Sequence, residues 1–165
     1  MRKLILILSL MFSVTLSPNV VMSKTVKYED LVTKKGLYYR KSSDVPFTGN
    51  VTGKKQGEIK KGKKVGLWVS CWSLNGRVNS KETFKDGKLD GLSVYYHDNG
   101  KVYIKVTFKD DKEEGPYVSY HDNGQLWSKG TLKDGKREGP WVEYKKDGTV
   151  WEKYTGTYKN GVKVK

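Results

Sequence analysis

The chain has 165 residues, enough for one ordinary domain. A net charge of +14 and a mean hydropathy of −0.70 leave little material for a large conventional core. The 20 aromatic residues (5 Trp, 11 Tyr, 4 Phe) exclude a disordered chain, because most of them recur at fixed spacing.

In chain order, Arg2 and Lys3 precede an apolar run over residues 4–16, too short to span a bilayer. Val21 and Ser23 supply small residues at the −3 and −1 positions of a cleavage site. The pattern predicts a cleavable signal peptide over residues 1–23 and an exported protein, periplasmic or extracellular. No cysteine adjoins the cut, so the protein is not expected to be a lipoprotein. Removing Arg2 and Lys3 leaves a mature charge of 30 − 18 = +12. Such a surface favours a protein partner, an anionic lipid or an acidic envelope polymer. No nucleic-acid module is present, so specific nucleic-acid binding is not expected. The lone Cys71 has no intramolecular disulfide partner.

Residues 24–65 form a lead-in and a degenerate first repeat. Tyr28, Leu31 and Val32 suit either one helical turn or an edge strand capping the array. Leu37, Tyr38 and Tyr39 read as a strand, followed by a turn at Ser43-Asp44. Pro46 suits an edge or turn because it cannot donate to a ladder.

From Gly66 a repeat is plain. Gly66, Gly91, Gly115 and Gly139 open units of residues 66–90, 91–114, 115–138 and 139–165. Turn pairs fall in register at Asn75-Gly76, Asn99-Gly100, Asn123-Gly124 and Asp147-Gly148. A second set lies at Asp86-Gly87, Asp110-Asp111, Asp134-Gly135 and Asn160-Gly161. Such pairs between alternating runs signal tight hairpins. Each unit is therefore two short strands and two turns. The chain is expected to be all-β: an elongated antiparallel meander forming one curved layer. One extra residue in the first full unit predicts a bulge near Cys71-Trp72. Two extra residues in the last predict an irregularity near Thr155-Gly156.

A two-residue Asn-Gly loop pairs Tyr96 with Tyr103, Tyr120 with Trp127 and Tyr144 with Trp151. Val94, Val118 and Val142 then face Lys105, Lys129 and Lys153, and Gly130 faces Tyr117. A three-residue loop with a bulge shifts that register by one. The other face carries Val102, Ile104, Val106 and Phe108, with Leu126 and Leu132. Equivalent residues lie two strands apart, about 9–10 Å. Lys81, Lys105, Lys129 and Lys153 thus form one basic row, and Lys85, Lys109, Lys133 and Lys159 another. Tyr96, Tyr103, Tyr120, Trp127, Tyr144, Trp151, Lys105, Lys129 and Lys153 are the candidate partner-binding residues. The same residues also serve simply to cover and stack the sheet.

No residues suggest catalysis, a metal or a cofactor. His97-Asp98 and His121-Asp122 sit one unit apart, too far for one ion with ligands at about 2 Å. They read as solvated turn residues. Cys71 has no neighbouring histidine, and no phosphate-binding loop is present. The chain is read as non-enzymatic.

The unit GLSVYYHDNGKVYIKVTFKDDKEEG, repeated as GPYVSYHDNGQLWSKGTLKDGKREG, resembles the bacterial MORN repeat variant. The order of segments over residues 27–161 is similar to the YwqK-family antitoxins of toxin–antitoxin systems. The resemblance implies hairpin arrays that act as interaction modules, some at membranes or lipids. Three roles follow as expectations: an exported scaffold binding a protein or envelope component, an antitoxin neutralising a cognate toxin, or a peripheral binder of anionic lipid. Asp111 departs from the turn glycine.

Overall fold

The computed structural model describes residues 24–73 and 75–165. The expected signal peptide, residues 1–23, lies outside them. The chain is all-β, a long and mostly antiparallel meander of hairpins.

Strand β1 (Thr25–Lys27) leads into a 3₁₀ turn at Tyr28–Asp30, so the lead-in is both an edge strand and a helical turn. A separate hairpin follows, β2 (Leu31–Lys34) with β3 (Leu37–Arg40). The main sheet continues with β4 (Gly49–Thr52), β5 (Lys55–Lys60), β6 (Lys63–Cys71), β7 (Val78–Lys85), β8 (Lys88–Leu89) and β9 (Gly91–Tyr96). Then come β10 (Val102–Lys109), β11 (Lys112–Tyr120), β12 (Leu126–Lys133), β13 (Lys136–Glu143), β14 (Gly156–Lys159) and β15 (Val162–Lys163). Neighbours in sequence are neighbours in the sheet, with two exceptions. Strand β1 runs parallel to β4, and β8 is a short spur on β7, which pairs onward with β9.

The two sets of turns differ. At the second set both central residues have positive φ, as at Asp86 (50°) with Gly87 (89°) and Asp134 (50°) with Gly135 (76°). This matches the twist of the flanking strands. Asp111 (φ 67°) fills the glycine position because its carboxylate accepts the Leu89 amide at 2.7 Å. At the first set the loop is three residues long. The His97 amide donates to Lys101 O at 2.8 Å and the Gly100 amide to His97 O at 2.9 Å. Of the loop residues Gly100 has positive φ, and Asn99 Oδ1 accepts the Lys101 amide.

That loop shifts the register by one, and a bulge then restores it. Tyr96 pairs with Val102, whereas Tyr95 pairs with Ile104, so Tyr103 is the extra residue. Tyr120 pairs with Leu126, Ser119 with Ser128, and Trp127 is extra. The expected pairs Tyr96–Tyr103 and Tyr120–Trp127 are therefore corrected. Val94–Lys105, Val118–Lys129 and Tyr117–Gly130 stand as expected. In the last unit Tyr144 bridges Val150 rather than Trp151, and residues 151–155 turn back on Trp151 O. Lys153 consequently has no strand position opposite Val142. In the first full unit the Trp72 amide reaches Arg77 O, and the register shifts between Ser70 and Cys71, beside the expected position, with Asn79 of the facing strand as the extra residue.

One face is buried. Leading glycines with positive φ sit opposite large side chains: Gly66 opposite Phe84, Gly91 opposite Phe108, Gly115 opposite Leu132 and Gly139 opposite Tyr158. Two cores occupy this face. Phe47, Val51, Ile59 and Trp68 form the first, closed by Val26, Tyr28, Leu31 and Tyr38. The β2–β3 hairpin is thus a small second layer at this end. Val106, Leu132, Trp141 and Tyr158 form the second core. Between and beside them lie buried serines: Ser70, Ser80, Ser93, Ser119 and Ser128.

Candidate functional site

The residue chemistry first assigned to the turns is spent on joining repeats. His97 Nε2 bonds Tyr120 O at 2.9 Å, and His121 Nε2 bonds Tyr144 O at 3.0 Å. Both imidazoles are half-buried, so they are inter-repeat ties rather than solvated turn residues. Asn99 caps its own turn through Oδ1 and donates Nδ2 to Asp122 O at 2.8 Å. Asn123 repeats both contacts, to the Gln125 amide and Lys146 O. Lys146 holds the Asp122 carboxyl below its ordinary range through a 2.7 Å ion pair. A glycine is the only residue tolerated at φ 85° without strain, and the asparagine amide is the only side chain here that both caps and reaches the next repeat.

The second turns are tied similarly. The Gly135 amide donates to Glu113 O, and the Asp134 amide to Glu114 Oε2 at 3.0 Å. The Gly161 amide donates to Arg137 O, and the Asn160 amide to Glu138 Oε2 at 2.8 Å. The row Lys85, Lys109, Lys133 and Lys159 flanks these turns, where the first three face Lys88, Lys112 and Lys136 directly. Asp90 pairs with Lys109 and Asp134 with Lys112, which offsets part of the like-charge crowding.

These ties repeat from unit to unit, with the same residue types at the same offsets. The two central repeats are similar to the MORN repeat variant. The family's profile matches residues 89–110 and 113–134. MORN repeats are generally non-catalytic binding and scaffold modules. No curated protein matches the chain.

The sheet leaves its second face open, and three rows cross it. One is Val69, Lys81, Val94, Lys105, Val118, Lys129 and Val142, in unbroken register. On one side run Leu67–Thr83, Leu92–Thr107 and Pro116–Thr131; Leu67 is 57% exposed and Leu92 53%. On the other run Cys71–Val78, Tyr96–Val102, Tyr120–Leu126 and Tyr144–Val150. Val102 and Leu126 therefore lie beside the tyrosines, not on the buried face. Among the described residues no ion pair reaches Lys81, Lys105 or Lys129; Glu138, opposite Thr131 at the border of this face, accepts the Asn160 amide instead.

The structure thus divides the candidate residues. Tyr96, Tyr120, Tyr144, Lys105 and Lys129 share the open face. Tyr103 and Trp127 leave it, stacking on each other at 6.2 Å; Trp127 also stacks on His121, and Tyr103 packs at a tilt on His97. Trp151 packs edge-on against Tyr154, and Lys153 lies over the Tyr154 ring at 5.3 Å, both outside the regular rows. Cys71 is half-buried beside Val78. Among the described residues no three His, Cys, Asp or Glu side chains gather as metal ligands.

The buried face holds polar groups that the repeat pattern does not announce. Glu82 accepts Ser80 Oγ at 3.3 Å and the Tyr95 hydroxyl at 3.2 Å. Burial, then the Glu82 carboxylate, pushes the Tyr95 phenol up to about 12. Glu143 is buried and ion-paired to Arg137, whose guanidinium lies 4.5 Å from the Trp141 ring centroid. Neither pair follows from turn spacing. The legible sign of the second is a charged residue, Glu143, in a column that otherwise carries Ser70, Tyr95 and Ser119.

Proposed function

We propose that this protein is an exported, non-enzymatic scaffold that binds an acidic protein partner across its open face. The observation that carries this reading is the register of Lys81, Lys105 and Lys129. They stand on alternate strands, about 9–10 Å apart, between valines and tyrosines, and no ion pair among the described residues neutralises them. Aliphatic and aromatic surface supplies contact area, and the lysines select for negative charge and speed encounter. An antitoxin role is the same reading with a toxin as the acidic partner, and co-expression with a neighbouring lethal gene product distinguishes it.

A photo-crosslinker placed at Val94 tests the reading in cells, with one at Glu152, outside the open-face rows, as control. The expected result is a discrete adduct from Val94 only, lost when Lys81, Lys105 and Lys129 are changed to Glu. Adducts that persist in the triple variant overturn the electrostatic face. The same lysines favour a second reading, an anionic membrane surface. That reading predicts binding to phosphatidylserine vesicles that collapses between low and high salt.

A further inference from the structure

The regular repeats share a ladder of stacked rings that stops one rung short. His97 packs on Tyr103 at 4.8 Å, Tyr103 on Trp127 at 6.2 Å and 27°, and Trp127 on His121 at 5.4 Å and 23°. Tyr103 and Trp127 are the bulged residues of β10 and β12. The bulged residue of β7 is Asn79, which falls between the pairs Cys71–Val78 and Ser70–Ser80. An amide therefore stands where the next ring belongs. Trp72 occupies the turn position of His97, closing its loop onto Arg77 O as His97 closes onto Lys101 O. It is 40% exposed and stacks on no other ring among the described residues. A cleft of about 720 Å³ opens here, lined by Trp72, Asn79, His97, Asp98 and Tyr103.

We propose that this cleft receives one aromatic side chain of a protein partner, which supplies the missing rung against Tyr103. Two observations select that occupant. The rungs are flat rings, Tyr103–Trp127 and Trp127–His121 stacked and His97–Tyr103 tilted at 52°, and the opening lies at the ladder's end, in the column that carries Tyr103 and Trp127. At the rim, Asn79 and Asp98 offer oxygens to an indole N–H or a phenol O–H, whereas the Tyr95 hydroxyl is already committed to Glu82. Tyr96 of the open face borders the cleft, but Lys81, Lys105 and Lys129 do not line it, so the inference does not rest on the lysine row.

The test is an NMR titration of residues 24–165 with N-acetyl-tryptophanamide, against its cyclohexylalanine counterpart. Saturable shifts at the Trp72 indole N–H and the Asn79 amide are expected with the aromatic probe, and at least severalfold weaker binding with the saturated one. Asn79→Tyr places the chain's own ring in the gap, so it should abolish the shifts and raise the melting temperature. Asn79→Ala keeps the cleft open and should retain them. Equal binding of the two probes, or binding unchanged in Asn79→Tyr, overturns the proposal; so does no saturable shift in the parent chain. The triple lysine variant should bind the probe normally, which separates this site from the lysine row.

Discussion

At the amino-terminal end Trp68 lies over Gly57, with Lys64 4.5 Å from its ring centroid and Phe84 edge-on at 6.4 Å. At the other end Trp141 lies over Gly130, with Arg137 at 4.5 Å and Tyr158 edge-on at 6.5 Å. The offsets match: the cation precedes its tryptophan by four residues (64 to 68, 137 to 141) and the glycine by eleven (57 to 68, 130 to 141). In the units between, the same two columns hold Glu82 with Ser93 and Val106 with Tyr117. One residue decides how the cation is treated at each end. Six positions after the cation stands Ser70 at the first and Glu143 at the second. The Arg137 charge is therefore neutralised, and the Lys64 charge is not. The comparison teaches that a thin repeat sheet closes its ends with a tryptophan over a bare glycine, and that the cation above it is stabilising or costly according to its partner.

The largest effects should come from the tryptophans. Trp68 is 1% exposed and Trp141 3%. Trp68→Ala and Trp141→Ala should each cost roughly 3–5 kcal/mol in urea unfolding. Trp68→Ala should be the worse, because the β2–β3 hairpin and Tyr28 close over that core. Equal and small losses would show that the ends do not carry the array. A Cβ at Gly57 or Gly130 would overlap the tryptophan ring, so Gly→Val at either site should be comparably damaging.

Next comes the charge that separates the ends. Glu143→Gln leaves the Arg137 guanidinium, about one-third exposed, without its carboxylate. The expected loss is about 1–2 kcal/mol, below that of a fully buried pair because water still reaches the arginine. Ser70→Glu transplants the same partner beside Lys64 and should not repeat that loss. If both variants are equally destabilised, the two ends are not built alike.

The difference between the ends also marks how far the sequence could be read. The meander and the alignment of Lys81, Lys105 and Lys129 were legible because Asn-Gly and Lys-Asp-Gly fix turns locally, whereas Lys153 fell outside the row. The turn at Lys61-Gly62 (φ 49° and 77°) was missed, since lysine is an unusual residue at positive φ. The spacing back from Gly87 to Gly62 and Gly36, 25 and 26 residues, was its available signal. The tyrosine pairings failed because a three-residue loop and a compensating bulge cancel over the strand, leaving Val94–Lys105 right while displacing Tyr103. The serine column, the Arg137–Glu143 pair and the histidine ties depend on long-range packing, which local patterns do not encode.

Smaller effects should come from the ties within the regular repeats. Asn123→Ala removes both the turn cap and the bond to Lys146 O, at solvent-exposed positions. A loss of about 1 kcal/mol is expected. Asn123→Asp keeps the cap and loses only the cross-repeat donor, so it should retain part of that stability. If Asn123→Asp matches Asn123→Ala, the cross-repeat bond is the dominant contribution.

The subtlest prediction concerns the unpartnered cation. Burial holds the Lys64 ammonium below its ordinary 10.5. Between the lowered folded value and 10.5, the folded chain binds fewer protons than the unfolded chain. Stability therefore rises with pH across that window, and the cost of the charge is fully present below it. Lys64→Met keeps the stem over Trp68 and removes the charge. The variant should be more stable than the parent at pH 7, by no more than about 1 kcal/mol, because the lost cation–π contact offsets part of the gain. Titrating both chains from pH 7 to 10.5 by chemical denaturation isolates this group, since the other lysines are common to both. The gap should close as the pH rises. A gap that stays constant would assign the effect to packing. Arg137→Met should have the opposite sign at every neutral pH, because it strands Glu143 in a buried site.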